Sequence, residues 1–135
     1  MEKNMNIRIE TIPHNEQRYE TVGDWQFIGD DLVIRVSDME SKSYEFLVGI
    51  HELIEAVLCK DAGITEQQVD KFDMDNIDCN DPGSLVAAPY YRQHLIATMI
   101  ERMLADELNI DWTDYEDSLE ALFCGVEIVD GGVAE

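Results

Sequence analysis

The spacing of apolar residues changes period once along this chain, near residue 43, and that switch restricts the fold more than any other feature of the sequence. Before it the period is two. Ile7 and Ile9 are separated by Arg8 and followed by Glu10, the alternation of a half-buried strand, and Pro13 ends the run. Val22 to Ile28 and Leu32 to Val36 are two further β-rich runs around Gly29-Asp30-Asp31, with Leu32, Ile34 and Val36 alternating with Val33 and Arg35. They predict a hairpin. Beyond residue 43 the period is helical. Phe46, Leu47, Ile50, Leu53, Ile54, Val57 and Leu58 follow i, i+1, i+4, i+7, i+8, i+11, i+12, which predicts a helix over about 44–60 with its apolar arc centred between Ile50 and Ile54.

The remaining punctuation completes the layout. Gly63 marks an exit, and Thr65-Glu66-Gln67-Gln68 is a capping-box start for a short helix to about Phe72. Residues 73–88, with Asn76, Asn80 and Asp81-Pro82-Gly83, read as loop. A second long helix is predicted from Pro89 or Tyr90 to Leu108, with Ile96, Ile100, Met103 and Leu104 on one side. Thr113-Asp114-Tyr115-Glu116 offers another capping box for a helix to about Phe123, with Gly125 as its stop. Residues 126–135 are expected to form a flexible tail or at most a short strand. The expectation is one α+β domain over 1–135. A small antiparallel sheet of about three strands, over 6–36, packs on two long and two short helices over 44–123.

Charge narrows the partners. Thirty Asp and Glu against 9 Lys and Arg give a formal net charge of −21, with net −6 in residues 1–60 and net −15 in residues 61–135. A nucleic-acid binder must present clustered positive charge, so direct nucleic-acid binding is not expected. No run approaches the ~18 apolar residues of a membrane span, and Met-Glu-Lys-Asn-Met-Asn is not a signal-peptide start, so a cytoplasmic protein is expected. Cys59, Cys79 and Cys124 are odd in number and lack C-x-x-C spacing, which fits reduced thiols. Either Cys59 or Cys79 could add a metal ligand.

The chemistry-bearing pattern is His51-Glu52-Leu53-Ile54-Glu55. Residues four apart on a helix lie about 40° apart in projection, so His51 and Glu55 share a face, at the edge of the predicted apolar arc. His94 and Glu101, seven apart and about 20° in projection, flank the stripe of the other long helix, with Ala97 and Thr98 between them. Packing the helices through their apolar faces would bring the four side chains together. Two neutral imidazoles and a carboxylate suit Zn²⁺, with Fe²⁺ or Mn²⁺ as alternatives. The expected ligands are His51, Glu55, His94 and Glu101, the last as a fourth ligand or as a partner to one of the others. Glu52 is placed as the general base for a water activated at the ion.

The run Phe46-Leu47-Val48-Gly49-Ile50-His51-Glu52-Leu53-Ile54-Glu55-Ala56 resembles the active-site helix of zincin metallopeptidases, whose pattern is H-E-x-x-H. The resemblance implies that His51 is a ligand and Glu52 the base. The second histidine of that pattern is replaced by Glu55, also a competent ligand. The wider chain is similar to small uncharacterised phage and prophage proteins, in Ile12-Pro13-His14, Gln17-Arg18-Tyr19, Thr21-Val22-Gly23-Asp24-Trp25, the His51 segment, Ala88-Pro89-Tyr90, His94, Ala97, Glu101-Arg102 and Asp111-Trp112. That resemblance implies a phage-type origin and brings no known activity with it.

Bland readings compete with each of these. A His/Glu pair at i, i+4 is more often a hydrogen-bonded surface pair, and Arg92 or Arg102 could neutralise Glu101. His14 reads as a surface histidine, although it could line a cleft beside Arg18 and Tyr19. The Asp70 to Asp81 run fits no calcium-loop frame. Glu52-x-x-Glu55 is similar to the E-x-x-E of helical nucleotide pyrophosphohydrolases, but the companion E-x-x-D is missing. No phosphate-loop, nucleophile-elbow or dinucleotide motif occurs. A metal-dependent hydrolase with an unknown substrate is therefore the leading expectation. The alternative is a non-catalytic acidic interaction protein, a DNA mimic or host-protein inhibitor, with or without a structural metal.

Overall fold

The computed structural model describes residues 5–79, 81–124, 127–129 and 132–134. Its elements are β1 (Ile7–Ile12), β2 (Gly23–Ile28), β3 (Asp31–Ser37), α1 (Lys42–Ala62), α2 (Glu66–Asp75), α3 (Tyr91–Glu107), α4 (Trp112–Cys124), β4 (Glu127–Val129) and β5 (Gly132–Ala134), with 3-10 turns at His14–Glu16 and Pro82–Ser84. The α+β class is the one expected. Where a tail was expected, β4 and β5 pair antiparallel to each other. Among the described residues no helix is long and apolar enough to cross a membrane.

The main sheet has the order β1-β3-β2. Its β2/β3 half is the expected hairpin, with Trp25 opposite Ile34 and Phe27 opposite Leu32, and Gly29 takes the positive φ of the turn. The β1/β3 half differs from expectation, because β1 runs parallel to β3, Ile7 opposite Leu32 through Ile12 opposite Ser37. Alternation reports which face a residue occupies and is silent on strand direction. Ten residues between β1 and β2 let the chain cross from one edge of β3 to the other, so the sheet is mixed. The central strand is the buried one, with Leu32, Val33, Ile34 and Val36 all at 1% exposure or less. Ile7 and Ile9, read as the buried half of β1, are about half exposed on an edge strand.

Helix α1 is the spine of the molecule. Ser41 caps its start by accepting from the Tyr44 N–H, and Gly63 ends it in the left-handed conformation. Its flanks meet β2 and β3 on one side and α3 on another. Its buried residues are Glu45, Leu47, Val48, Gly49, His51, Glu55, Ala56 and Cys59. At about 100° per residue that face is centred on Val48 and Glu55, roughly a third of a turn from the arc predicted at Ile50 and Ile54. His51 and Glu55 lie within the buried face and not at its edge, while Phe46 and Val57 face outward.

Helix α3 has made a matching change. Ala97, Glu101 and Ala105 are its buried residues, one turn apart, and Met103, assigned to the apolar side, points to solvent. Two alanines on the contact stripe leave room for the glutamate between them to reach α1. The capping box of α2 forms as expected between Thr65 and Gln68. That of α4 does not. Asp111 caps the helix by accepting from the Asp114 N–H at 2.9 Å, so α4 starts at Trp112, ahead of Thr113.

Candidate metal centre

Three ligand-type atoms from two helices converge between α1 and α3. His51 Nε2 lies 3.1 Å from Glu55 Oε2 and 3.1 Å from His94 Nδ1, and His94 Nδ1 lies 2.9 Å from Glu55 Oε2. Helical geometry brings His51 and Glu55 together, and the α1/α3 packing supplies His94 from 43 residues away. These three form a group that could hold a metal ion. A tetrahedral centre with bonds of about 2.0–2.2 Å sets its ligand atoms about 3.3–3.6 Å apart, and an octahedral one about 3 Å, so the triangle needs adjustments of only tenths of an ångström.

Each member is held from behind by a different element. Glu101 Oε1 is 2.8 Å from His51 Nδ1, and Asp81 Oδ1 is 3.0 Å from His94 Nε2. The Trp25 indole N–H donates to Glu55 Oε1 at 3.0 Å, leaving Oε2 for the triangle. The Tyr115 hydroxyl donates to Glu101 Oε2 at 2.5 Å. A carboxylate behind a histidine selects the tautomer with its proton on that side. With both rings neutral, that tautomer would turn their inner lone pairs toward each other and toward the Glu55 oxygen, a gap that a metal ion would fill in place of the protons the rings give to Glu55.

Burial sharpens the electrostatics. It opposes charging of His51, yet hydrogen bonds to Glu101 and Glu55 outweigh it and hold that pKa well above the usual imidazole value. Burial acts the same way on His94, and Asp81 with Glu55 pushes its pKa up to about 9. Glu55 shows the reverse balance. Burial raises its pKa, while the two histidines bring it down to about 2, so the carboxylate stays ionised. The Glu52 carboxyl is pushed well above its usual range, first by burial and then by the Glu55 charge. Its Oε2 sits 3.8 Å from His51 Nε2, and it makes no hydrogen bond with the described residues.

The four predicted ligand residues all reach this site, in two roles. Glu101 is not in the triangle, because it lies on the far, Nδ1 side of the His51 ring, where it orients that ring. Neither Arg92 nor Arg102 neutralises it, and Arg102 stacks over the Trp112 ring instead. Cys59 is buried away from the triangle with its thiol pushed up to about 12, and Cys79 lines the adjoining cavity without joining the ligand group. His14 is partly buried, bonded to Ser37 and Glu20 on the sheet side. Ser37 is fully buried, so that chain of contacts can present no nucleophile.

Spacing pointed to the histidines, to Glu55 and to the support Glu101, and not to the other supports. Trp25, Asp81 and Tyr115 come from β2, a loop and α4, and no local pattern joins them. Gly83 was equally silent. A Cβ there would fall 2.5 Å from the His94 Cγ and 2.6 Å from its Nδ1, so glycine is what lets the Pro82–Ser84 turn close over the ring. Gly23 does the same for Glu52, whose Cγ would lie 2.8 Å from an added Cβ.

The triangle opens into a cavity of about 280 Å³ lined from β2, α1, α2, α3 and α4, with His51, Glu52, Glu55, His94 and Glu101 on its wall. At one side Arg18 bridges Asp24 and Asp70, and Asp73 accepts from the hydroxyls of Tyr19 and Tyr90. Comparison with family models, with curated proteins and with solved structures gives no match.

Proposed function

We propose that the protein is a small metal-dependent hydrolase. His51, Glu55 and His94 hold Zn²⁺, with Fe²⁺ or Mn²⁺ as the other candidates for a site of two imidazoles and one carboxylate. The single observation that carries the reading is the triangle itself, 2.9–3.1 Å on each edge, buttressed by Glu101 and Asp81 and facing a cavity. A dication there would supply Lewis acidity and lower the pKa of a water it holds. Glu52 stands beside His51 with a carboxyl that makes no hydrogen bond with the described residues, and it would serve as the proton acceptor once the charge of a bound dication favours its ionised form. Glu101 and Asp81 keep the imidazoles in the ligating tautomer.

A closed structural site is the competing reading. It would surround the ion with protein ligands and leave no place for water, whereas three protein ligands beside an accessible cavity match the open arrangement of catalytic zinc. The test begins with metal analysis of untagged protein, where about one equivalent per chain is expected, lost in His51→Ala. Zinc-loaded protein is then run against fluorogenic amides and esters. Turnover that disappears in Glu52→Gln while the zinc remains supports the proposal. Failure to take up any of the three metals, or turnover unchanged in Glu52→Gln, overturns it.

A further inference from the structure

We infer that the cavity beside the three ligands accepts a group the size of one amino-acid residue that carries positive charge, an amine or a guanidinium, and rejects anionic ligands such as phosphate esters. This inference rests on the proposed metal centre and names what that centre acts on.

The cavity wall carries ten Asp and Glu side chains and no Lys or Arg. Most of these carboxylates already have partners. Glu55, Glu101 and Asp81 face the histidines, Asp24 and Asp70 share Arg18, and Asp73 accepts from two tyrosines. Glu20 meets His14. Three remain without a hydrogen bond among the described residues, and of these only Glu52 has a histidine nearby, His51 at 3.8 Å. Glu52 is deep, 13% exposed and pointed at the triangle, while Glu116 and Glu120 stand on successive turns of α4, exposed at the rim. Carboxyl oxygens that accept no hydrogen bond thus run from the mouth to the ligand atoms, with charge at the rim on Glu116 and Glu120.

A bound dication does not reverse this sign, because Glu55 and Glu101 already sit against the ligating histidines and Glu52 lies next to them. Low-dielectric walls focus the field of the rim carboxylates Glu116 and Glu120 into the cavity. A phosphate ester would bring two negative charges into that field with no Arg or Lys to receive them. An ammonium or guanidinium would find Glu52 within and Glu116 and Glu120 at the entrance. The volume, about 280 Å³, falls at the lower limit of small-molecule pockets and fits one residue rather than a folded surface.

The test uses N-acetyl hydroxamates of lysine, norleucine and glutamate on zinc-loaded protein, with binding read from the fluorescence of Trp25 and Trp112, which both line the cavity. The hydroxamate is common to all three and reports an open ion, and the side chain alone changes the charge. Lysine is expected to bind at least tenfold more tightly than norleucine, with glutamate weakest and the spread narrowing as salt is raised. In the double variant Glu116→Gln/Glu120→Gln the lysine advantage should fall several-fold with norleucine affinity unchanged. Equal affinities, or glutamate tightest, overturn the charge preference and leave the metal centre standing. No hydroxamate binding to protein shown to carry zinc overturns the open centre, and this inference with it.

Discussion

His51 Nε2 and His94 Nδ1 face each other at 3.1 Å, two ring nitrogens whose rings are each held on the outer side by a carboxylate, Glu101 and Asp81. Nitrogens set that close beside a buried carboxylate call for positive charge at the gap, carried by ring protons or by a metal ion in their place. The carboxylates behind the rings should therefore control metal affinity almost as strongly as the ligands do. Glu101→Gln keeps an acceptor for His51 Nδ1 but removes its charge, and it is expected to weaken zinc binding by roughly 10- to 100-fold. His94→Ala should abolish it. Competition with a chromogenic chelator measures both, and equal zinc affinity in Glu101→Gln and wild type would contradict the assigned role.

Gly83 sets the position of His94 through space alone. In Gly83→Ala the new methyl carbon meets the imidazole at 2.5 Å, so the ring must swing out of the triangle. The expected result is a loss of zinc affinity of about tenfold or more with the far-ultraviolet circular dichroism unchanged. Gly23→Ala crowds Glu52 and Val48. It should lower turnover with zinc content preserved, and chelator titration beside a turnover assay separates the two effects.

Metal removal should be visible as stability. An ion that binds only the folded chain adds about 2.7 kcal/mol at a hundredfold excess over its Kd, which for a chain of this length raises the Tm by roughly 10 °C. Chelation should reverse the shift in wild type and leave the Tm of His51→Ala where it was. A thermal scan with and without zinc decides this.

Asp73 gives a pH dependence outside the triangle. Burial raises its pKa to about 6 against 3.8 for the free side chain, and hydrogen bonds from Tyr90 and Tyr19 offset only part of that. The folded chain therefore holds the proton longer than the unfolded one, and stability falls as pH rises from about 4 to about 6. The loss is on the order of 3 kcal/mol. Asp73→Asn has no proton to lose, and both tyrosine hydroxyls can still bond to the amide. Relative to wild type, its urea midpoint should climb steadily from pH 4 to pH 7. A constant difference across that range would contradict the assignment.

The extents of α1 and α3 and the pairing of His51 with Glu55 were legible because helix period and i, i+4 spacing are local properties of the chain. The direction in which α1 turns was not. Apolar spacing scores Ile50 and Ile54 as the inner face, yet the helix is covered by the sheet on one flank and by α3 on another, and the deepest position goes to a polar group. Burying that group is tolerated because every member of it has a partner. Strand alternation likewise identified β1 and missed its direction, which depends on where the ten residues after it travel. Trp25, Asp81 and Tyr115 meet the site only in three dimensions.

The two helices that carry the candidate ligands are neighbours through a stripe of Ala97 and Ala105, and among the described residues no disulfide ties them. An ion shared by His51 and His94 would act as a covalent staple does, closing a loop of 43 residues in the unfolded chain. Loop entropy of that size is worth about 4 kcal/mol for a permanent link. The centre would then be a removable crosslink, and a cell that starves the protein of metal would loosen the fold along with the chemistry.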